Sequence, residues 1–371
     1  MQRRDFVRKL SGGLILPAMV NSLDVGSLFQ GPSFADKLLP AVKNGGFMMD
    51  DYWIWDPSVV KGEDGRYHMF ASRWPKAVGF GKWVTNSEIV RAVADTPEGP
   101  YTFAEVVMSP RGKEWFDGRC TFNPRITKYK GQYLLYYVGV TYDFPMPEDA
   151  TDIWANGVAQ QAWMHKRAAV AVSDSVKGPW KRISHPLMNP RPGKWDASII
   201  SNPSPVVRPD GDIYLMYKSS PHGPEPPLML GAALSKHGYE GPYERLSDAP
   251  VFDFKSTKEN ESDVEDPFVW WNKDHYELIM KDRFGRICGE EGGGIHATSK
   301  NGVDWKLSDP VKAYSRTVKW DDGTVTHQAN FERPFLLFEN GKPTHLFAAT
   351  GSGLRPYQVD KTWNMVIPLK H

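Results

Sequence analysis

Five short stretches of the sequence place polar or charged side chains beside a proline that opens an apolar run. They are Asp56 before Pro57, Asn123 before Pro124, Asn202 and Ser204 beside Pro203 and Pro205, Glu265 and Asp266 before Pro267, and Glu332 and Arg333 before Pro334. Proline fixes φ and donates no hydrogen bond, so it suits an innermost edge strand and leaves its polar neighbours free of the ladder. If these carboxyl groups converge on one cavity, mutual repulsion and desolvation push their pKa values apart, and one can hold a proton while another takes one. That is general acid–base chemistry. Asp56 and Glu265 form the strongest pair, with Glu265 expected to have a raised pKa and Asp56 to stay ionised. Each carboxylate taken singly also fits a structural role, satisfied by backbone N–H groups or a metal ion.

The elements that must position these residues show as an internal repeat. Aligned on Pro57, Pro124, Pro205, Pro267 and Pro334, the units are 67, 81, 62 and 67 residues apart. After each proline comes a turn such as Asp64-Gly65, Lys130-Gly131 or Asn340-Gly341, then an aromatic-rich strand such as Gln132-Tyr133-Leu134-Leu135-Tyr136-Tyr137. Four units continue with a third apolar strand and a closing turn: Gly99-Pro100-Tyr101, Gly178-Pro179-Trp180, Gly241-Pro242-Tyr243 and Gly302-Val303-Asp304-Trp305. Four strands repeated radially are propeller blades, so the expected fold is all-β, a five-bladed β-propeller of four-stranded antiparallel blades. Only about twenty residues follow Thr350, so the stretch around Phe47-Met48-Met49 is expected to complete the last blade.

The 371 residues carry 45 Lys and Arg against 44 Asp and Glu, for a formal charge of +1. That balance gives no general attraction to nucleic acid or an anionic membrane, so charge-based recognition must be local. Cys120 and Cys288 are too few for a disulfide framework. The N-terminus has Arg3-Arg4 before Phe6 and the short apolar run Leu14-Ile15-Leu16, which resembles a twin-arginine export signal. Residues 1–33 are therefore expected to be signal and leader, 34–371 the propeller, and the mature protein periplasmic or secreted without a membrane span.

The Asp-Pro of blade one, the Gly-Pro-aromatic turns and the Glu-X-Pro of blade four resemble the five-bladed propeller glycoside hydrolases, chiefly family 43 and relatives such as families 117, 32 and 62. The resemblance runs from about residue 45 to the end. It implies that Asp56 is the general base, Glu265 the general acid, and an Asp opening blade three a tuner of the acid. There the chain departs, since Asn202 and Ser204 occupy the element and the nearest Asp is Asp196. In the family 117 relatives the acid is a histidine, which here implies His296 or His327. The resemblance requires no cofactor and allows a calcium ion in the central channel.

On this resemblance the partner is an oligosaccharide of plant or algal origin, cleaved from its end, with inversion. Trp55 abuts the base and suits stacking on an apolar sugar face. Arg125 and Arg333 flank two of the prolines, where a guanidinium fork can hold the carboxylate or sulfate of an acidic sugar or brace neighbouring carboxylates. Asn123, Asn202, Asp266, His296, His327 and Glu332 complete the expected sugar contacts, and Thr326-His327-Gln328-Ala329-Asn330 is expected as a contacting loop. The long connection 141–167 is expected to narrow an open groove into a pocket. A propeller phosphorylase of the family 130 type and a sugar-binding propeller without turnover are the competing readings.

Overall fold

The repeat is realised blade by blade in a computed structural model, which describes residues 33–225, 227–252, 263–353 and 355–370. Blade one comprises β1 (Tyr52–Lys61), β2 (Tyr67–Pro75), β3 (Glu88–Ala94) and β4 (Thr102–Met108), and blade two β5 (Cys120–Tyr129), β6 (Gln132–Val140), β7 (Arg167–Ser173) and β8 (Lys181–Arg182). Blade three has β9 (Ser201–Val207), β10 (Ile213–Ser219), β11 (Met229–Ser235) and β12 (Glu244–Arg245). Blade four has β13 (Val264–Asn272), β14 (His275–Asp282), β15 (Gly294–Ser299) and β16 (Lys306–Lys312). A small hairpin, β17 (Thr317–Lys319) and β18 (Val325–His327), precedes blade five with β19 (Phe331–Glu339), β20 (Lys342–Ser352) and β21 (Lys361–Pro368). The inner strands β1, β5, β9, β13 and β19 touch in that cyclic order and close the ring.

Blade five has three strands of its own, and the N-terminal segment runs along its outer edge as expected. Leu39 N–H donates to the Pro368 carbonyl (2.9 Å), Val42 N–H to Val366 (3.0 Å), and Phe47 and Asn364 exchange bonds of 3.0 and 2.9 Å. Residues far apart in sequence thus close the ring by the same ladder chemistry that builds each blade. The second strands pack between blades and bury Phe70, Tyr136, Tyr137, Tyr214, Tyr217 and Phe347 almost completely, which is why aromatics concentrate there. Outer strands β4 and β16 are largely exposed. Gly99 turns the chain at φ 85°, where an added Cβ would come within 2.8 Å of the Tyr101 nitrogen and 3.1 Å of the Gly46 carbonyl.

Each X-Pro pair is a bulge in an innermost strand. The residue before the proline has positive φ at Asp56 (55°), Asn123 (57°), Asn202 (50°), Asp266 (59°) and Arg333 (56°), and in each inner strand the ladder register shifts at this point. Left-handed backbone is uncommon outside glycine, and its recurrence turns five side chains inward at one level. The blade-three member is Asn202 before Pro203, which corrects the alignment on Pro205. Ser204, following Pro203, occupies the place of Ser58 after Pro57: its Oγ accepts the Val269 N–H (2.8 Å) of the next blade, as Ser58 Oγ accepts that of Ile126 (2.7 Å). The true spacings are 67, 79, 64 and 67. Pro203 and Pro205 share strand parity, so sequence pattern alone did not separate them.

Residues 33–371 form one compact unit; the twin-arginine stretch lies outside the described residues. Cys120 and Cys288 are buried free thiols. No helix among the described residues is long and apolar enough to cross a membrane. The helices that matter to the site are short: α1 (Trp83–Asn86) between β2 and β3, and α2 (Val158–Met164) in the connection between β6 and β7.

Candidate active site

The five inward side chains form a closed hydrogen-bonded circuit, one from each blade. Asn123 Nδ2 donates to Asn202 Oδ1 (2.9 Å), and Asn202 Nδ2 to Asp266 Oδ1 (2.7 Å). Arg333 donates from Nη1 to Asp266 Oδ1 (2.8 Å) and from Nε to Asp56 Oδ1 (2.7 Å). Asp56 Oδ2 completes the circuit by accepting from Ser72 Oγ (2.5 Å) and the Asn123 N–H (3.2 Å). A carboxylate offers about four lone-pair sites, and these three donors leave one for a water molecule.

Arg125 is buried in the channel near this circuit, its guanidinium over the rings of Phe268 and Phe335 at 5.6 and 5.7 Å. Burial and the neighbouring Arg333 pull it down to about 9. It does not line the cavity above. Two guanidinium groups thus share this part of the channel, and among the described residues no group of three or more His, Cys, Asp or Glu side chains is placed to hold a metal ion.

A cavity of about 700 Å³ opens over the circuit, lined by Asp56, Asn123, Asn202, Asp266 and Arg333 together with Glu265 and Glu332. Trp55 lines it as expected, and so does Phe122. The connection 141–167 narrows it, bringing Asp152, Trp154 and Trp163 to the wall, with Trp154 Nε1 donating to the Gly81 carbonyl (2.8 Å). Phe80, between β2 and α1, packs edge-on against Trp55.

Glu265 lies in a cationic clamp. Its Oε2 accepts from Lys218 Nζ (2.7 Å) and its Oε1 from Lys281 Nζ (3.1 Å), with Arg283 Nε at 3.6 Å. Lys281 also donates to Glu332 Oε1 (2.6 Å) and the Tyr357 hydroxyl (3.1 Å). Burial pushes the Glu265 carboxyl up, but Lys218, Lys281 and Arg283 outweigh it and hold the group well below the usual carboxylate range. This corrects the expected raised pKa. Sequence reasoning weighed carboxylates at the mouth and missed the lysines one residue before the ends of the second strands β10 and β14. Their signal was present: Lys218 follows Pro203 by 15 residues and Lys281 follows Pro267 by 14, each closing an apolar run.

Three other expected residues lie away from the cavity lining. Asp196 accepts from Arg191 Nε (2.9 Å), Arg245 Nε (2.7 Å) and the Tyr217 hydroxyl (3.2 Å); the blade-three place at the mouth belongs to Asn202. His296 bridges Glu277 (3.1 Å) and Ser308 (2.7 Å). His327 is exposed on β18 beside Thr317, so the stretch expected as a sugar-contacting loop is partly a strand, and it does not reach the lining before Glu332. Among the described residues no histidine lines the cavity. Residues not anticipated there include Lys166, Lys218 and Tyr357.

No family model matches the sequence, and no curated protein matches it significantly. Solved structures do. A family 117 glycoside hydrolase of the marine bacterium Zobellia galactanivorans is 17% identical with a TM-score of 0.63, the match covering 91% of this chain and 92% of that one. A family 43 β-xylosidase/α-arabinofuranosidase from a compost microbial metagenome, solved with xylotriose, is 17% identical with a TM-score of 0.55 and coverage of 90% and 96%. A family 43 enzyme of Xanthomonas citri, also with xylotriose, is 15% identical with a TM-score of 0.55 and coverage of 90% of both chains. At these identities the likeness establishes the five-bladed propeller.

Proposed function

We propose that the chain is a glycoside hydrolase that removes the terminal unit of a plant or algal oligosaccharide with inversion. The observation that carries this reading is that Asp56 of blade one and Glu265 of blade four line one tryptophan-walled cavity. The solved structures that share the fold include glycoside hydrolases of families 117 and 43, two of them described with xylotriose, which supports the same chemistry. Exo action is supported by the wall that residues 150–154 and Trp163 build on one side, since a pocket takes a chain end more readily than a chain interior. Inversion is supported by the origin of the two carboxylates in non-adjacent blades, which suits the roughly 6.5–9.5 Å that an intervening water needs.

In this scheme Asp56 uses its remaining lone pair to orient a water and takes its proton as the water attacks the anomeric carbon. The leaving oxygen receives a proton relayed through Glu265 from the Lys218 Nζ–H, which donates to the Glu265 carboxylate across 2.7 Å while the cavity is empty. Glu265 alone, ionised as the clamp makes it, does not serve as the donor in that state. Export through the twin-arginine-like N-terminus to the periplasm or beyond completes the reading and fits a polysaccharide-derived substrate.

A sugar-binding propeller without turnover is the second reading, favoured by the fact that every carboxylate of the circuit and clamp already has a cationic partner. Assay against aryl glycosides and plant and algal oligosaccharides separates the two. Asp56→Asn is expected to lower turnover by roughly 10²–10⁴, as for a lost general base, with sugar binding retained. Binding without turnover in the wild type across the whole panel overturns the hydrolase reading, and unchanged turnover in Asp56→Asn removes the base assignment.

A further inference from the structure

Lys166 stands between α2 and β7, is 1% exposed, and lines the cavity. Its Nζ lies 3.8 Å from the centre of the Trp163 ring and 5.6 Å from that of Trp83. Among the described residues its amine has these ring contacts but no hydrogen bond and no carboxylate within ion-pair distance. The other cations on the wall are matched: Lys82 by Asp149, Lys218 by Glu265, Arg283 by Asp263, Arg333 by Asp56 and Asp266. The charged groups that act most strongly on Lys166 are Lys218 on β10, Glu265 and Asp266 on β13, and Arg333 on β19. These four charges cancel pairwise, Asp152 on the same wall accepts the Trp154 and Ala155 N–H groups, and among the described residues none of these carboxylates ion-pairs with the Lys166 ammonium.

Such a group is costly to keep. Removing an ammonium ion from water without an anion costs more than contact with indole faces returns. Burial, reinforced by Lys218, pulls Lys166 well below the ordinary lysine range. The missing partner is therefore one that arrives in the cavity. The guanidinium groups that the sequence suggested for an acidic sugar are occupied elsewhere, Arg333 in the circuit and Arg125 in the channel.

We propose that Lys166 is an anion subsite of the cavity, taking a carboxylate or a sulfate ester carried by the terminal sugar, with Trp83 and Trp163 flanking the group. This rests on the reading that the cavity holds a sugar chain end, and it names the substrate class as an acidic oligosaccharide. A proton donor to the leaving oxygen is the rival role for a buried amine, but a donor needs a hydrogen-bonding neighbour to orient it, and Lys166 has only ring faces. The anion supplies the absent counter-charge, so the amine takes a proton from solvent as the ligand binds.

The test is calorimetric titration of the full chain with three disaccharides, one ending in a uronic acid, one carrying a sulfate ester and one uncharged. Wild type, Lys166→Met and Lys166→Arg are compared in buffers of different ionisation enthalpy. At least one anionic disaccharide is expected to bind wild type with proton uptake and to lose about 10–100-fold in affinity in Lys166→Met, the scale of a charge-assisted contact. The uncharged one should change less than about 3-fold, and Lys166→Arg should recover most of the anionic binding. Which anionic probe responds distinguishes carboxylate from sulfate.

Equal binding of charged and uncharged sugars by the wild type, or unchanged anionic binding in Lys166→Met, overturns the subsite. Loss of turnover on an uncharged sugar in Lys166→Met with its binding intact makes the amine a proton donor and also overturns it. The hydrolase reading is judged separately. Lys166-dependent anion binding without bond cleavage keeps the subsite and removes the hydrolase, whereas cleavage of uncharged chains indifferent to Lys166 does the reverse.

Discussion

Tyr217 and Lys218 are neighbours on β10 and point to opposite faces of blade three, where each meets a buried carboxylate. On one face Tyr217 bonds Asp196, which is completed by Arg191 and Arg245. On the other Lys218 bonds Glu265, which is completed by Lys281. The charge balance is alike, but the cations differ in what they leave over. Arg245 also donates to the Asn189 carbonyl (2.6 Å), and Arg191 to Asp248 (2.5 Å), so both guanidinium forks tie separate segments together. Lys218 has Glu265 as its hydrogen-bonded partner, and the residue lines the cavity with two further N–H donors. Arginine makes the Asp196 cluster a brace, while lysine leaves the Glu265 cluster able to exchange partners with a ligand.

The largest expected difference between the clusters is in rate. Glu265→Gln should lower turnover of a natural disaccharide by roughly 10²–10⁴ and of an activated aryl glycoside much less, because a good leaving group needs little protonation. Asp196→Asn should leave the rate per folded molecule within about 3-fold, since it touches no reacting atom. Equal losses on both substrates in Glu265→Gln, or a catalytic loss in Asp196→Asn, break the contrast.

Stability should sort the same variants differently. Asp196→Asn removes the buried carboxylate between two half-buried guanidinium groups, of which Arg191 keeps Asp248, and urea unfolding should show a loss of about 1–3 kcal/mol. A loss below about 0.5 kcal/mol would mean that the brace holds nothing.

A smaller, pH-dependent effect belongs to Glu265. Its folded pKa lies below the ordinary 4.5, so the folded state binds the proton less readily than the unfolded chain does. The resulting stabilisation is full above that value and is lost as pH falls through the lower folded value. The urea midpoint difference between wild type and Glu265→Gln should be constant near neutrality and shrink on acidification. A difference that grows on acidification reverses the sign and the assignment. The smallest effect is that of Tyr217→Phe, which removes one bond to Asp196 and should cost about 0.5–1.5 kcal/mol without changing turnover.

How much of this was legible beforehand follows from the range of each interaction. The five blades were readable because each strand, turn and X-Pro pair is local, and hairpin pairing uses residues within one repeat. The position of Asp56, and the arrival of Trp55 and Glu265 in one cavity, followed from the repeat register. The Pro203 register of blade three was not readable, because Pro203 and Pro205 have the same strand parity and only the left-handed φ at Asn202 separates them.

The sequence by itself determined the propeller, four of its five inward-turned positions and the long connection that walls the cavity, since these depend on backbone preference and apolar periodicity carried within each unit. Tertiary structure decided the partners. Whether Asp196 reached the cavity, whether Glu265 met carboxylates or lysines, and whether Lys166 found an anion were settled by which side chains from different blades came within a few ångströms of one another. Electrostatic interaction falls with distance and grows as water is removed, so the state of a buried charge is a property of the assembled ring rather than of any one blade.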